Sequence, residues 1–154
     1  MAIHKIDGVD GVDNYPKKFI TLWCSLAASA SIAKGDVVIL DTATTSPEGE
    51  ALYVKQSNAA DSVLVVGVAA ETVTNGAGAT RDHSIRVQVA GYNSDTVGSA
   101  AITLGGQVGS AASGQIVDAA TSDISKRPLG LCINAIGSGL SDGAILIYDH
   151  GMFG

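Results

Sequence analysis

Apolar residues occur in short runs along this chain, and glycine-rich stretches separate the runs. In the first run, which begins at Phe19, every second side chain is apolar, and Trp23 is one of the residues in between. The apolar members are Ile20, Leu22, Cys24 and Leu26. A period of two residues is typical of a β-strand with one buried face. Residues 35–41, 63–69 and 84–91 are also short and rich in Val and Ile, so the sequence predicts strands there too.

The second half of the chain repeats this pattern. The similar pairs of segments are 33–40 with 103–110, 64–72 with 128–136, and 84–91 with 143–151. The similarity is loose and needs gaps, and it suggests an internal duplication.

Helical periodicity is scarce, and the best helix candidates are the Ala-rich segments around residues 26–33 and 110–120. Short apolar runs at fairly regular spacing predict an all-β fold, either a small β-barrel or β-tulip-like domain or a sandwich. Residues 1–18 are polar and interrupted by glycines, which predicts an extended N-terminal arm. Residues 19–154 form the predicted β-rich domain.

Residues 17–30 have a basic start, an apolar middle and a small-residue end, which are features of a secretory signal. Sixteen residues, three of them Asp, precede this segment, and its alternation favours a strand. No apolar run approaches the length of a membrane helix, so we expect no membrane partner.

Charged residues make up only 16% of the chain and hydrophobic residues 46%. A surface with so few charges suggests that neighbouring subunits cover part of it. The net charge is −6 and the nine basic residues are scattered. Because phosphate contacts need clustered Lys and Arg, the sequence argues against nucleic-acid binding.

Two cysteines, Cys24 and Cys132, lie far apart, each within an apolar run. This placement favours buried, reduced thiols over a disulfide.

The most enzyme-like motif is the Gly-x-Ser-x-Gly sequence of residues 139–143, centred on Ser141. A nucleophile elbow needs a strand before the serine and a helix after it. Here the apolar residues 144–147 predict a strand after the motif, and only Asp149 and His150 could complete a triad. We therefore interpret the motif as a hairpin turn. A small hydrolase that uses Ser141 is an alternative, which an ester probe would test.

No grouping of metal ligands is visible in the sequence. The histidines are dispersed, at His4, His83 and His150. The acidic residues of the arm recur every third residue, at Asp7, Asp10 and Asp13. A calcium loop alternates its ligands every second residue, so this pattern does not match. We expect no metal and no cofactor.

The longest uncharged stretch, residues 96–117, consists mainly of small residues. Such residues offer tight turns and close packing between strands or between subunits rather than chemistry. Ala111, Ala112 and Ser113 in particular would let the backbones of two subunits approach closely.

Taken in order, several segments resemble the capsid decoration (cement) proteins of tailed bacteriophages. The segments are AKGDVVIL (33–40), VVGVAAETV (65–73), IRVQVAG (85–91), GQVGSAASGQIVDA (106–119), PLGLCINAI (128–136) and GAILIYD (143–149). The opening HKIDGVDGVDNYPKKFITL (4–22) resembles virion structural proteins of marine and cyanobacterial phages.

The resemblance implies a β-rich barrel or tulip-like fold without enzymatic activity. It also implies a place on the outer surface of an icosahedral head, as trimers at three-fold and local three-fold positions. The partners would then be the major capsid protein and further copies of this chain. The family has no catalytic residues to carry over.

We expect the arm to anchor the protein to the capsid or to a neighbouring subunit, because an extended segment can add a strand to a partner's sheet. The side chains expected to fill pockets are Ile3, Ile6 and Tyr15. Those expected to meet basic groups are Asp7, Asp10 and Asp13.

The alternative is another virion or cell-surface β-module, a fibre or adhesin that binds host glycans. Clustered exposed aromatic residues and an isolated pocket would favour it. Aromatic residues make up only 5% of the chain, and they are dispersed in sequence, as Trp23, Tyr53, Tyr92 and Tyr148 show.

Overall fold

A computed structural model describes residues 17–44, 52–58, 64–119, 128–137 and 141–148. In these ranges the chain forms eleven β-strands and one 3-10 turn. The strands are β1 (Lys18–Leu26), β2 (Ser31–Ile32), β3 (Val37–Leu40), β4 (Val54–Gln56), β5 (Val65–Ala69), β6 (Val73–Thr74), β7 (Arg81–Gly98), β8 (Gln107–Ser110), β9 (Ile116–Asp118), β10 (Gly130–Asn134) and β11 (Ser141–Ile147). The prediction of an all-β fold is confirmed.

The second half of the chain closes into a five-stranded barrel. The end of β7, residues 91–98, pairs with β11, and β10, β8 and β9 follow in antiparallel order. A parallel pairing of Gly98 with Ile116 joins β9 back to β7 and completes the ring. We call these five strands barrel 2.

The first half forms a second ring of the same kind. The strands β1, β7 (residues 81–90), β5, β3 and β4 are neighbours in antiparallel order. The ring closes at a parallel bridge between Trp23 and Tyr53. At this point the Trp23 backbone N–H donates to the Leu52 carbonyl oxygen at 3.1 Å. We call these five strands barrel 1.

The two barrels repeat one pattern of strand pairing, and three pairs of residues have the same register in both. The matching pairs, given for barrel 1 and then barrel 2, are Val38–Gly67 and Val108–Gly130, Leu40–Val54 and Ser110–Ile116, and Ile32–Val73 and Ile102–Ile136. The structure therefore confirms the internal repeat that the sequence suggested.

The same tight turn precedes the second strand of each repeat. In barrel 1 the Gly35 N–H donates to the Ala69 carbonyl oxygen at 2.9 Å, and in barrel 2 the Gly105 N–H donates to that of Cys132 at 2.8 Å. Both glycines have positive φ, 92° and 79°. Glycine adopts this conformation without the steric cost that a side chain would add.

An apolar core fills each barrel. The core of barrel 1 contains Leu22, Cys24, Val38, Val54, Ile85 and Val87, among others. The core of barrel 2 contains Ile102, Val108, Ile116, Leu129, Cys132 and Ile145, among others. Four side chains of barrel 1 belong to the second cluster, namely Val37, Ile39, Val65 and Val68. They alternate along β3 and β5 with residues of the first core, so they lie on the outside of barrel 1 and pack against barrel 2.

A turn of barrel 1 docks onto the surface of barrel 2. The Lys34 Nζ lies 3.0 Å from Asp95 Oδ1. A Cβ atom at Gly35 would overlap the Asp95 carbonyl oxygen, so the backbones touch. The Asp36 carboxyl lies against Gly114, where a Cβ atom would be 2.6 Å from Asp36 Cγ. We call residues 33–36 the docked turn.

Small residues complete the contact between the barrels. The Ser57 hydroxyl donates to the Ala111 carbonyl oxygen at 2.7 Å, and the Gly114 N–H donates to the Ser57 carbonyl oxygen at 3.0 Å. Ala111 is buried within the chain, so its predicted position between subunits is wrong. Ala112 and Ser113 are exposed. The glycine- and alanine-rich stretch serves to bring the two halves of one chain together.

Strand β7 belongs to both barrels and bends where it passes from one to the other. Gly91 has a φ of 93° at this point. The Asn93 side-chain amide donates to Gln88 Oε1 at 3.0 Å, and the Gln88 amide donates to the Tyr92 carbonyl oxygen at 2.8 Å. These two buried side chains bridge the bend.

Neither helix candidate forms a helix. Residues 26–33 comprise the end of β1, a turn with Ser29 at a φ of 60°, and β2. In the second candidate, the described residues 110–119 comprise the end of β8, the 3-10 turn Ala112–Gly114, and β9. Alanine favours helices, but pairing with distant strands overrides that local preference.

Candidate interaction surface

The six arm residues predicted to bind a partner lie outside the described residues. These are Ile3, Ile6, Asp7, Asp10, Asp13 and Tyr15. The described chain begins at Lys17, and β1 begins at Lys18.

Both cysteines are buried and unpaired, as predicted. Burial, together with the nearby Asp82 carboxylate, raises the pKa of the Cys24 thiol to about 11. Since the thiolate is the reactive form, Cys24 is an inert packing group at neutral pH.

The Gly-x-Ser-x-Gly motif is not a turn over its last three residues. Residues 141–143 belong to β11 and pair with residues 96–98 of β7. Gly143 is buried, and a Cβ atom there would overlap the Ile136 side chain. The prediction of a hairpin turn is wrong for these residues, because a long-range ladder holds them extended. Asp149 and His150 lie outside the described residues.

Of the three histidines, His83 lies within the described ranges. It is partly buried on β7, and its Nε2 is buried without a hydrogen-bond partner. No group of three or more His, Cys, Asp or Glu side chains able to hold a metal ion occurs among the described residues. His4 and His150 lie outside them.

No helix among the described residues is long and apolar enough to cross a membrane.

Exposed apolar side chains are the most unusual feature of the surface. Trp23 is 45% exposed and Leu52 is 49% exposed, and the two are adjacent where β1 meets the chain before β4. Thr21 is exposed on the same face of β1. We call Thr21, Trp23 and Leu52 the seam, because they lie along the closure of barrel 1.

Leu104 is the most exposed large apolar residue of the described chain, at 69%. It occupies a turn in which the Gly106 N–H donates to the Thr103 carbonyl oxygen at 3.0 Å. A leucine that protrudes from a tight turn gains nothing from its own fold.

Charged and aromatic groups surround the seam. The Arg86 guanidinium stacks over the Phe19 ring, 4.1 Å from its centroid, and Arg86 lies opposite Thr21 in the ladder. Beneath the seam, the Tyr53 hydroxyl donates to Asp82 Oδ2 at 2.8 Å. This hydrogen bond, together with burial and the charge of Asp82, raises the pKa of Tyr53. Tyr53 is thus a neutral structural link between the start of β4, which it precedes, and β7.

The seam and Leu104 escaped prediction from the sequence, although both left a signal there. Trp23 falls on the otherwise polar face of an alternating strand, and Leu104 occupies a turn position where polar residues are common. Trp23 is the single strongly exposed aromatic side chain of the described chain, since Phe19, Tyr53, Tyr92 and Tyr148 are buried or partly buried. The fold therefore gathers no exposed aromatic platform from these residues.

Comparison with solved structures gives a match of the whole fold. The chain is similar to the N base of the head fibre gp8.5 of bacteriophage phi29, with a TM-score of 0.55 and 11% sequence identity. The match covers 86% of this chain and 96% of the other. At this identity it shows that the two proteins share a fold. No protein-family model and no curated protein sequence matches the chain.

Proposed function

We propose that this protein is a structural protein of a phage virion that binds the outer surface of the head as trimers and stabilises the shell. The observation that carries the proposal is the fold shared with a head-fibre base over nearly the whole of both chains. The resemblance of the sequence to decoration proteins agrees with it independently. The major capsid protein is the proposed partner.

The chemistry of the described residues supports a binding role over catalysis. The buried Cys24 thiol is held protonated, and the serine of the Gly-x-Ser-x-Gly motif belongs to a paired strand. What the surface offers instead is exposed apolar side chains, at the seam and at Leu104. Repeated interfaces of this kind stabilise a closed shell through many identical weak contacts.

Immunogold labelling of intact virions tests the proposed location. Antibodies raised against the purified protein should label the head surface of intact particles, while pre-immune serum should not. Labelling that appears only after the particles are disrupted would contradict an outer position. Sedimentation equilibrium of the purified protein tests the trimer, and a strictly monomeric protein both in solution and on reconstructed heads would contradict it.

A further inference from the structure

The internal repeat gives every residue of the docked turn and of the surface beneath it a counterpart in the other barrel. Ala69 and Cys132 are counterparts, because each accepts the hydrogen bond from the turn glycine. They lie opposite Val87 and Ile145, so these are counterparts as well. Two residues earlier on the same strands, Ile85 lies opposite Leu22, and Gly143 lies opposite Thr96.

From these registers the counterparts at the contact follow directly. Thr21 and Trp23 in barrel 1 correspond to Asp95 and Val97 in barrel 2. Val54 lies opposite Leu40 at the end of β3, and Ile116 lies opposite Ser110 at the end of β8. Val54 therefore corresponds to Ile116, and Leu52 corresponds to Gly114. Lys34 corresponds to Leu104, since Gly35 corresponds to Gly105.

Within one chain, the turn of barrel 1 lies on Asp95 and Gly114 of barrel 2. The counterpart surface on barrel 1 is the seam, formed by Thr21, Trp23 and Leu52, and it is exposed. Among the described residues, nothing covers the Gly105 position of the counterpart turn on barrel 2, residues 103–106, because a Cβ atom there would meet nothing within 4 Å. In the described part of the chain, one contact of this kind is therefore formed between the barrels, and the two surfaces of a second such contact are exposed.

The residues at the open ends differ in character from those at the closed contact. Within the chain an ion pair, Lys34 with Asp95, forms part of the contact. On the two exposed surfaces, Leu104 takes the place of Lys34 and Thr21 takes the place of Asp95. Trp23 and Leu52 flank Thr21. Two of the four large hydrophobic residues that are exposed in the described chain, Leu52 and Leu104, thus fall on counterparts of contact residues, and a third, Trp23, adjoins Leu52.

We infer that the turn of residues 103–106 of one copy docks onto the seam of a second copy, with Leu104 against Thr21 and beside Trp23 and Leu52, in repetition of the contact between the barrels. The contact is heterologous, since it joins two different surfaces. A cyclic trimer requires two different surfaces on each copy, and these two meet that need.

This inference deepens the self-association in the proposed function and rests on it, but it does not depend on where the assembly is attached. A cross-linking experiment separates the two surfaces. The Leu104→Cys and Thr21→Cys proteins are prepared separately, mixed, and treated with a short bismaleimide. The native cysteines are buried, so they do not compete.

The mixture should give covalent dimers, whereas each variant alone should give none. The matched control uses a Ser29→Cys protein in place of Thr21→Cys, since Ser29 is exposed and lies beyond the other end of β1. A mixture of Ser29→Cys with Leu104→Cys should give no covalent dimers. Dimers formed by Leu104→Cys alone would show an isologous contact and overturn the inference. Absence of dimers in the Leu104→Cys and Thr21→Cys mixture would overturn it as well.

A second variant measures the contact in the unlabelled protein. Leu104→Lys places the counterpart residue at the turn and should raise the dissociation constant of self-association roughly tenfold or more, as removal of a central apolar anchor does. At protein concentrations well below the dissociation constant, the melting temperature should not change, because Leu104 is exposed. Leu104→Met should associate like the native protein. Unchanged association of Leu104→Lys would overturn the inference. Binding of the protein to heads is measured separately. A protein that cross-links as expected but does not bind heads would contradict only the virion role.

Discussion

Gly35 and Gly105 hold the same position in two copies of one turn, yet their surroundings differ. Both have positive φ, so any side chain strains the backbone at either site. Only Gly35 also touches a neighbour, the carbonyl oxygen of Asp95 in the other barrel. The pair therefore separates the cost of backbone strain from the cost of a broken contact between barrels.

Gly105→Ala should lower the free energy of unfolding by about 1–2 kcal/mol, the cost of a left-handed residue with a Cβ atom. Gly35→Ala should lower it by roughly 3 kcal/mol, because the new methyl group also pushes the barrels apart. Urea denaturation of the two variants and the native protein gives both values. Equal losses would show that the close approach at Gly35 is unimportant for stability.

The buried Cys24 thiol predicts a loss of stability in alkaline solution. Its pKa is raised from 9.0 to about 11 in the folded protein, so the unfolded chain loses this proton first as the pH rises. The contribution to stability is complete below pH 9 and disappears between pH 9 and about 11. Cys24→Ala should cost about 1 kcal/mol at pH 7.

The same variant should lose less stability than the native protein between pH 9 and 11. The comparison isolates the thiol, because other groups that titrate in this range, such as Tyr53, are present in both proteins. Identical pH profiles of the free energy of unfolding would show that Cys24 ionises as readily in the fold as outside it.

At the scale of the elements, the strand pairings that form the barrels join described residues, all of which follow Lys17 in the sequence. In barrel 1 the nine residues of β1 pair with β7 along their full length, from Lys18 to Leu26. Most of the proposed anchor, residues 1–18, lies outside the described residues. Its proposed role is binding to the capsid or to a neighbouring subunit.

Deletion of residues 2–16 should leave the β-domain folded, with a melting temperature close to that of the full chain. Binding of the truncated protein to heads that lack it should fall strongly in a co-sedimentation assay. A matched variant with Asp7, Asp10 and Asp13 changed to Asn keeps the length and tests the acidic side chains alone. Decoration by the truncated protein at native affinity would show that the arm has no role in anchoring.

Alternation of residues predicted the strands well where one face is buried, as in β1 and the start of β7. It failed where a distant partner decides the local structure. Residues 141–143 look like a turn, but their pairing with residues 96–98 extends them. The seam was beyond prediction for the same reason, since Trp23 and Leu52 become neighbours only when barrel 1 closes.

At the scale of the whole molecule, the two barrels are parts of one body. They share β7, and Val37, Ile39, Val65 and Val68 of barrel 1 pack in the core cluster of barrel 2. An apolar interface of this kind is lost when either barrel opens. Folding of one barrel therefore depends on the other.

The protein should unfold in a single cooperative transition. Trp23, the one tryptophan of the chain, reports on barrel 1. A Trp23→Phe, Tyr92→Trp variant moves the fluorescent probe to barrel 2. Urea curves of the two proteins should have the same slope, and each should coincide with the circular dichroism curve of the same protein. Two separate transitions would show that the barrels are independent domains.

The continuity of β7 also determines how the molecule bears mechanical load. A pull that separates the barrels runs along one covalent strand of 18 residues, a contour of about 60 Å at roughly 3.3 Å per residue. That strand is held by β1 at one end and by β11 at the other, both through antiparallel ladders. Hydrogen bonds in such ladders lie perpendicular to the strands, so the pull shears many of them at once rather than opening them one by one. Drag on anything attached to one barrel is thus resisted by whole ladders, with no flexible linker to yield first.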